Sequence, residues 1–200
     1  MIPGILRETM RYPPEHKAEV RQKILNDASR RVRAEGLTGA GVAAVMRDTG
    51  LTHGGFYKHF ESKEELLLES VREAFREFAD KLIVVAEQSR SETPWKAIVK
   101  AYLSLEHCHH LEQGCPLSAL APEIARVDTG MRGQILTELV KYKDRMVPFM
   151  PGRQTQEKER NFFVIFSTMI GAIEIARMLP DRAAQERVLS STREFLLSSF

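Results

Sequence analysis

The stretch GLTHGGFYKHFESKEELL, residues 50–67, decides how the chain is read. Two adjacent glycines, Gly54 and Gly55, stand where the residues on either side have helical character. Glycine costs about 1 kcal/mol relative to alanine inside a helix, so keeping two needs a cause. Phe56 and Phe60 are four apart and share one face. His53 and Tyr57 share another, with Lys58 beside them. The apolar face suits packing on a preceding helix and on Val42 and Val45. The other face is polar, partly cationic and turned outward. Ser62 and Glu65 have the spacing of a capping box in which Glu65 reaches back, so a new helix begins there. Upstream, the pattern predicts a short helix over about 41–48, a tight turn at Thr49-Gly50-Leu51, and a helix from Thr52 to about Phe60.

Two short helices joined by a three-residue turn containing glycine, after a longer helix, have the form of a helix-turn-helix. The second helix of such a unit lies in the DNA major groove with its N-terminal residues at base edges. A side chain at Gly54 or Gly55 would hold it off the phosphate backbone or the neighbouring helix. Glycine permits close approach and lets N-terminal N–H groups meet phosphate. The plainer alternative is that the glycines mark a loop and Phe56 is simply core.

Outward from this stretch almost every segment has helical period, with no alternating strand pattern. Residues 1–15, with Pro3, Gly4, Pro13 and Pro14, read as a flexible arm. A helix of about 16–35 buries Val20, Ile24, Ala28 and Val32 and ends at Gly36. The helix that starts after Ser62 runs to about Gln88. SRSETP then breaks the chain, and Thr93 as N-cap with Pro94 behind it starts a helix of about 94–110. EQGCP interrupts, and LSALAPEIARV forms a short helix that kinks or restarts at Pro122. Helices follow over about 130–146, 154–179 and 181–199. NFFVIFSTMIGAIEIARML is too apolar for one solvated face and belongs in the core or against a second copy of the chain.

The 200 residues are 43% hydrophobic and 28% charged, an ordinary globular composition. No uncharged apolar run approaches the roughly 20 residues of a membrane span, and the N-terminus lacks a signal-peptide core. A cytoplasmic protein with no membrane partner is expected. Cys108 and Cys115 are too few for a disulfide scaffold. The net charge of +2 is uninformative, but residues 1–64 hold 11 Lys/Arg against 8 Asp/Glu, while the remainder holds 18 against 19. The bias is mild, so any case for DNA rests on local placement.

Gly36, the apolar residue 37, Val42, Gly50-Leu51-Thr52, Gly54, Phe56-Tyr57, His59-Phe60 and Ser62-Lys63-Glu64-Glu65-Leu66 together resemble the TetR family of transcriptional regulators. The resemblance is close over about residues 16–68 and general beyond. It implies an all-α fold of about nine helices: an N-terminal arm (1–15), a three-helix helix-turn-helix DNA-binding domain (16–62), and a larger helical ligand-binding and dimerisation domain (63–200) entered through a linking helix (63–89). It further implies a homodimer through the last two helices (about 154–199), a palindromic double-stranded DNA operator, and a small-molecule effector that releases the DNA from a repressor. By position, the resemblance implies that Thr52 matches the residue that caps the recognition helix and contacts phosphate, that His53, Gly55 and Lys58 match positions facing base edges or nearby backbone, and that Tyr57, His59 and Lys63 match phosphate contacts. The family usually opens the second helix with Thr-Ser. This chain has Ala40-Gly41, which leaves Thr38 as the substitute hydroxyl.

Other constellations compete. His107, His110 and Cys115 invite a metal reading, but their spacing matches no standard zinc motif, and no metal or cofactor is expected. Cys115 precedes a helix start, where thiol pKa falls, so a redox- or electrophile-sensing regulator is an alternative. A buried cysteine packing an interhelix corner is the plainer reading. Tyr102, Met131, Phe162, Phe166, Met169, Trp95, Phe149 and Ile173 are candidate lining for a ligand cavity, or simply core. Glu106 and Glu174, if buried, would orient a polar ligand. No G-x-S-x-G, P-loop or H-E-x-x-H occurs, so an enzyme is not expected. A helical dimeric small-molecule-binding module without DNA function is the rival from another class.

Overall fold

Ten α-helices and two short 3-10 turns follow one another in the described residues, with no strand among them. The computed structural model describes residues 14–38, 41–48, 50, 53–90 and 92–200, apart from the side chains of Pro14, Val42, Asp48, His53 and Gly54. Most of the expected arm, together with Ala40, Thr49, Leu51 and Thr52, lies outside the described residues. The all-α expectation is met.

Helix α1 (Pro14–Glu35) buries Ile24, Ala28 and Val32 completely, the face its four-residue repeat predicts. It stops at Gly36, whose φ of +82° only glycine adopts without strain, and the Gly36 N–H returns to the Val32 carbonyl at 3.0 Å. Helix α2 (Val42–Asp48) has no side-chain cap to draw on at Gly41. The Gly41 carbonyl accepts from Ala44 and Val45. Gly50, with φ +73°, carries the turn towards α3 (His53–Phe56). The helix expected to run to Phe60 is only four residues long. Residues 57–59 continue as turns, with Lys58 and His59 donating to the carbonyls three residues back. The pair of poor helix formers at its start explains the short span.

Helix α4 (Lys63–Gln88) is capped as predicted by Ser62, whose hydroxyl accepts from the Glu65 N–H at 3.0 Å. The reciprocal half differs: Glu65 reaches one residue further, to the Glu61 N–H at 2.6 Å. Ile24, Leu25, Ala28, Val45, Met46, Phe56, Phe60 and Leu66 form one apolar cluster, so α1 to α4 share a small core of their own. Fully burying each phenylalanine there is worth roughly 1.5–3 kcal/mol.

The second, larger cluster is built from α4, α5 (Pro94–Tyr102), α7 (Pro116–Ile124), α8 (Thr129–Met146), α9 (Thr155–Met178) and α10 (Arg182–Ser199). Val32 belongs to it, so α1 reaches both cores. One helix was expected over 94–110, but the chain breaks at Leu103 and resumes as α6 (Leu105–His109). Ser104 causes the break: its hydroxyl accepts from the His107 N–H at 3.2 Å and donates to the Ala101 carbonyl at 2.9 Å, local bonds that compete with a continuous ladder. Thr93 occupies the N-cap position of α5 without a side-chain cap bond. Pro122 does not restart its helix, since α7 runs through it to Ile124.

Helix α9 is long and apolar enough to cross a membrane by length and composition, with mean hydropathy 1.4 over its best window. Phe162, Ile165, Phe166, Met169 and Ile173 on one face are instead buried in the larger core. Phe163, Val164, Ile175 and Met178 on the other are exposed.

Candidate nucleic-acid interface and interior cluster

Phe56 and Phe60, 0% and 2% exposed with stacked rings 5.6 Å apart, seat the tip of the helix-turn-helix. Between them in sequence, Tyr57 stands 62% exposed, its ring edge-on to Phe56 at 5.0 Å. Lys58 is exposed and His59 half-buried. Lys63, first residue of α4, is exposed. Thr38, also exposed, lines a shallow cleft with Lys63, Glu64 and Gly41. Gly55 is half-buried. Thr52 and the side chain of His53 lie outside the described residues, as do the surroundings of Gly54, so the close-approach role of the glycines rests on sequence alone.

The sequence reading missed Arg21 and Lys17. Arg21 donates from Nε to the His59 carbonyl at 3.3 Å, pairs with Glu69 at 2.7 Å and Glu65 at 3.4 Å, and lies over the Phe60 ring at 4.7 Å. It therefore ties α1 to the turn after α3 and to α4. Burial, then the charges of Lys17, Arg21 and Lys58, hold the His59 imidazole below its ordinary pKa. Burial is the larger cause and the neighbouring cations the smaller, and the charge of Arg21 is itself met by Glu65 and Glu69. Lys17 and Arg21 sit four apart on the helix, the spacing that would have placed them on one face.

The interior candidates divide. Tyr102, Phe162, Phe166 and Met169 are buried together, with Phe166 at 4.5 Å from Phe162 and 6.0 Å from Tyr102 between ring centres. Tyr142, which the sequence did not single out, joins them at 5.8 Å from Phe166. The Tyr102 and Tyr142 hydroxyls are buried with no protein hydrogen-bond partner among the described residues. A cleft of about 260 Å³ between α4 and α8 leads to the Tyr142 ring past Phe75 and Ala79. Glu106 is exposed on α6, while Met131 is half-buried, packing against the larger core and lining the cleft beside Thr38 and Lys63. Glu174 is not buried either; it pairs with Arg177 at 3.0 Å.

Cys115 is 1% exposed, at the N-cap of α7. Burial raises its thiol pKa, so the helix start does not produce the activated thiolate the sensing alternative needs. Its N–H donates to His107 Nε2 at 3.0 Å, while His107 Nδ1 lies 2.7 Å from the Tyr102 carbonyl. Both bonds fit the neutral tautomer protonated at Nδ1. Burial is the main cause that pushes His107 down to about 4. With both nitrogens engaged, His107 offers no lone pair to a metal. His110 is exposed beside Glu112, and no group of three or more potential ligands converges among the described residues. Arg177 closes the network, donating to the His107 and Cys108 carbonyls and to Ser118 Oγ.

A short tip seated on buried phenylalanines, with Tyr57 and Lys58 outward and a small core shared by α1 to α4, has the form of a helix-turn-helix. Residues 24–70 match the family described as bacterial regulatory proteins, tetR family. Over 187 residues the chain is 24% identical to an uncharacterized HTH-type transcriptional regulator in the lacX 3′ region of Lactococcus lactis subsp. lactis, covering 90% of this chain and 92% of that one. The fold as a whole is shared with a TetR transcriptional regulator from Chloroflexus aurantiacus J-10-FL (TM-score 0.73, 21% identity, 92% and 95% of the two chains). It is also shared with a TetR-family regulator from Cytophaga hutchinsonii (TM-score 0.71, 19% identity, 94% and 98%).

Proposed function

We propose that the chain is a cytoplasmic, non-enzymatic repressor that binds a palindromic operator as a homodimer and is released by a small molecule held in its larger core. The observation that carries this reading is the helix-turn-helix tip: Tyr57 and Lys58 face outward from a base of buried Phe56 and Phe60, with the cations Lys17 and Arg21 of α1 beside them. In this reading Thr52, Tyr57, His59 and Lys63 hold phosphates, with Thr38 replacing the usual cap hydroxyl. His53, Gly55 and Lys58 lie along the major groove, and Gly54 permits the approach. Residues 16–62 form the DNA-binding domain and 63–200 the remainder.

The dimer reading is supported by the exposed apolar face of α9, where Phe163, Val164, Ile175 and Met178 lie in line, with Phe195 on α10. Large side chains in such a row mark an association surface. A second copy covering α9 and α10 would set two recognition helices about 34–36 Å apart, one turn of DNA. For the effector, the support is the apolar group of Tyr102, Phe162, Phe166 and Met169, the buried, unpaired Tyr142 hydroxyl, and the cleft that approaches the Tyr142 ring. The effector acts only through its unequal affinity for the DNA-bound and released arrangements.

The deciding experiment is a salt-titrated mobility shift on the DNA upstream of the chain's own coding sequence. Saturable binding, weakening steeply with salt, supports a regulator. Folded, dimeric protein with no affinity for that or any duplex leaves the small-molecule-binding module as the reading.

A further inference from the structure

Between α1 and α4, remote from the helix-turn-helix tip, lies a cleft of about 230 Å³ lined by Arg30, Arg33, Glu77, Lys81 and Gln113. Three cationic side chains face one carboxylate. Arg33 is only 4% exposed. Its Nη2 donates to Glu77 Oε2 at 2.6 Å and to Ser29 Oγ at 3.3 Å, and Nη1 points to the Ala74 carbonyl at 3.5 Å. Its Nε is buried with no protein partner among the described residues. A buried, charged donor left unpaired is costly, and native structures rarely keep one without a use. Arg30 and Lys81 are exposed and form no hydrogen bond or ion pair within the described residues. Glu77 is already committed to Arg33 and Ser29. The uncompensated charge of the cleft is therefore positive, supplied by two exposed cations beside one packed guanidinium.

We propose that this cleft binds a phosphate-bearing small molecule, its oxygens taking the exposed heads of Arg30 and Lys81, with the positive charge of the packed Arg33 guanidinium behind them. Guanidinium forks match phosphate oxygens in geometry and lysine supplies a point charge, which is why these residues recur at phosphate sites. The volume holds a phosphate or diphosphate group, given that a water takes about 30 Å³ of liquid. Operator phosphate is not the occupant. Lys81 stands eighteen residues along α4 from Lys63, about 27 Å at 1.5 Å per residue. The site needs neither the operator nor the effector reading.

The test is isothermal titration of the full chain with inorganic pyrophosphate at fixed ionic strength. The wild type is expected to bind one pyrophosphate per chain saturably. Arg30→Ala/Lys81→Ala removes two exposed, unpartnered side chains and leaves the packed Arg33 in place, so it should fold normally and lose affinity by about tenfold or more. A charge-matched control at remote exposed cations, Arg90→Ala/Arg160→Ala, should bind as the wild type does. Absence of saturable binding in the wild type, retained affinity in the cleft variant, or equal loss in the control would each overturn the proposal.

Discussion

The carboxylate of Glu123, on α7, accepts the backbone N–H of Leu37, just past the end of α1, at 2.8 Å. A side chain of α7 thus fixes the backbone just past the end of α1. Gly36 is what makes room. A Cβ there would come within 2.3 Å of Glu123 Oε1, at a φ that side chains rarely adopt.

From this pair, Glu123→Ala should destabilise the fold by about 1–2 kcal/mol, the cost of leaving the Leu37 donor unpaired. Gly36→Ala should cost a similar amount from backbone strain and the clash. The double variant should lose less than the two single losses combined, because removing the carboxylate relieves the clash. Urea unfolding of the four proteins checks this; strict additivity would mean the two sites do not touch in solution.

His107 sets a pH dependence. It is neutral in the fold, with a pKa near 4, against about 6.5 in the unfolded chain. A proton therefore prefers the unfolded state. The contribution is fully present above about pH 6.5 and is lost progressively as pH falls towards 4, up to about 3 kcal/mol. Thermal melts between pH 7 and 4 should show that loss, and His107→Gln should flatten it. An equally steep fall in the variant would assign the slope to other groups.

On DNA, Lys63→Ala should weaken binding evenly across sequences and lower the salt slope by about one counterion. Tyr57→Phe should weaken binding without changing base preference. A Lys63→Ala slope identical to the wild type would remove Lys63 from the phosphate contacts.

Ile175 is 49% exposed, so Ile175→Glu should leave the protomer folded while converting dimer to monomer. Light scattering after size exclusion reads the mass directly. A dimer that survives with unchanged affinity would place the interface elsewhere than α9.

Both thiols should be silent. Cys108 and Cys115 are 2% and 1% exposed, and burial raises both pKa values. A chromogenic disulfide reagent should label the folded chain at least about 100-fold more slowly than the urea-unfolded chain. Prompt labelling of Cys115 in the folded state would restore the sensing alternative.

The helices were legible wherever local chemistry decides them: the Ile24, Ala28, Val32 face, the Ser62 cap, and the Phe56/Phe60 anchor all follow from spacing and capping. The misreadings came from bonds between distant or competing groups. The period of 94–110 gives no warning that Ser104 captures the His107 N–H and splits the helix. For Cys115 the plainer reading, a buried cysteine packed at an interhelix corner, is what the structure has. Of the interior candidates, Phe162, Phe166 and Met169 lie on one buried α9 face and Met131 packs at the edge of the same core, whereas Glu106 came from residue type alone and is exposed. Arg21 was passed over because its importance comes from His59, Phe60 and Glu69, residues 38 to 48 positions away.

Arg177 has a consequence of its own. It rivets the last turn of α9 to α6 and α7, and α9 is also the rod whose opposite side carries Phe163, Val164, Ile175 and Met178. In the proposed dimer, each protomer then leans on its twin through the same girder that braces its own interior. A rearrangement around Cys115 and Ser118 would be registered by the neighbouring molecule, and loosening the pair would slacken both interiors at once.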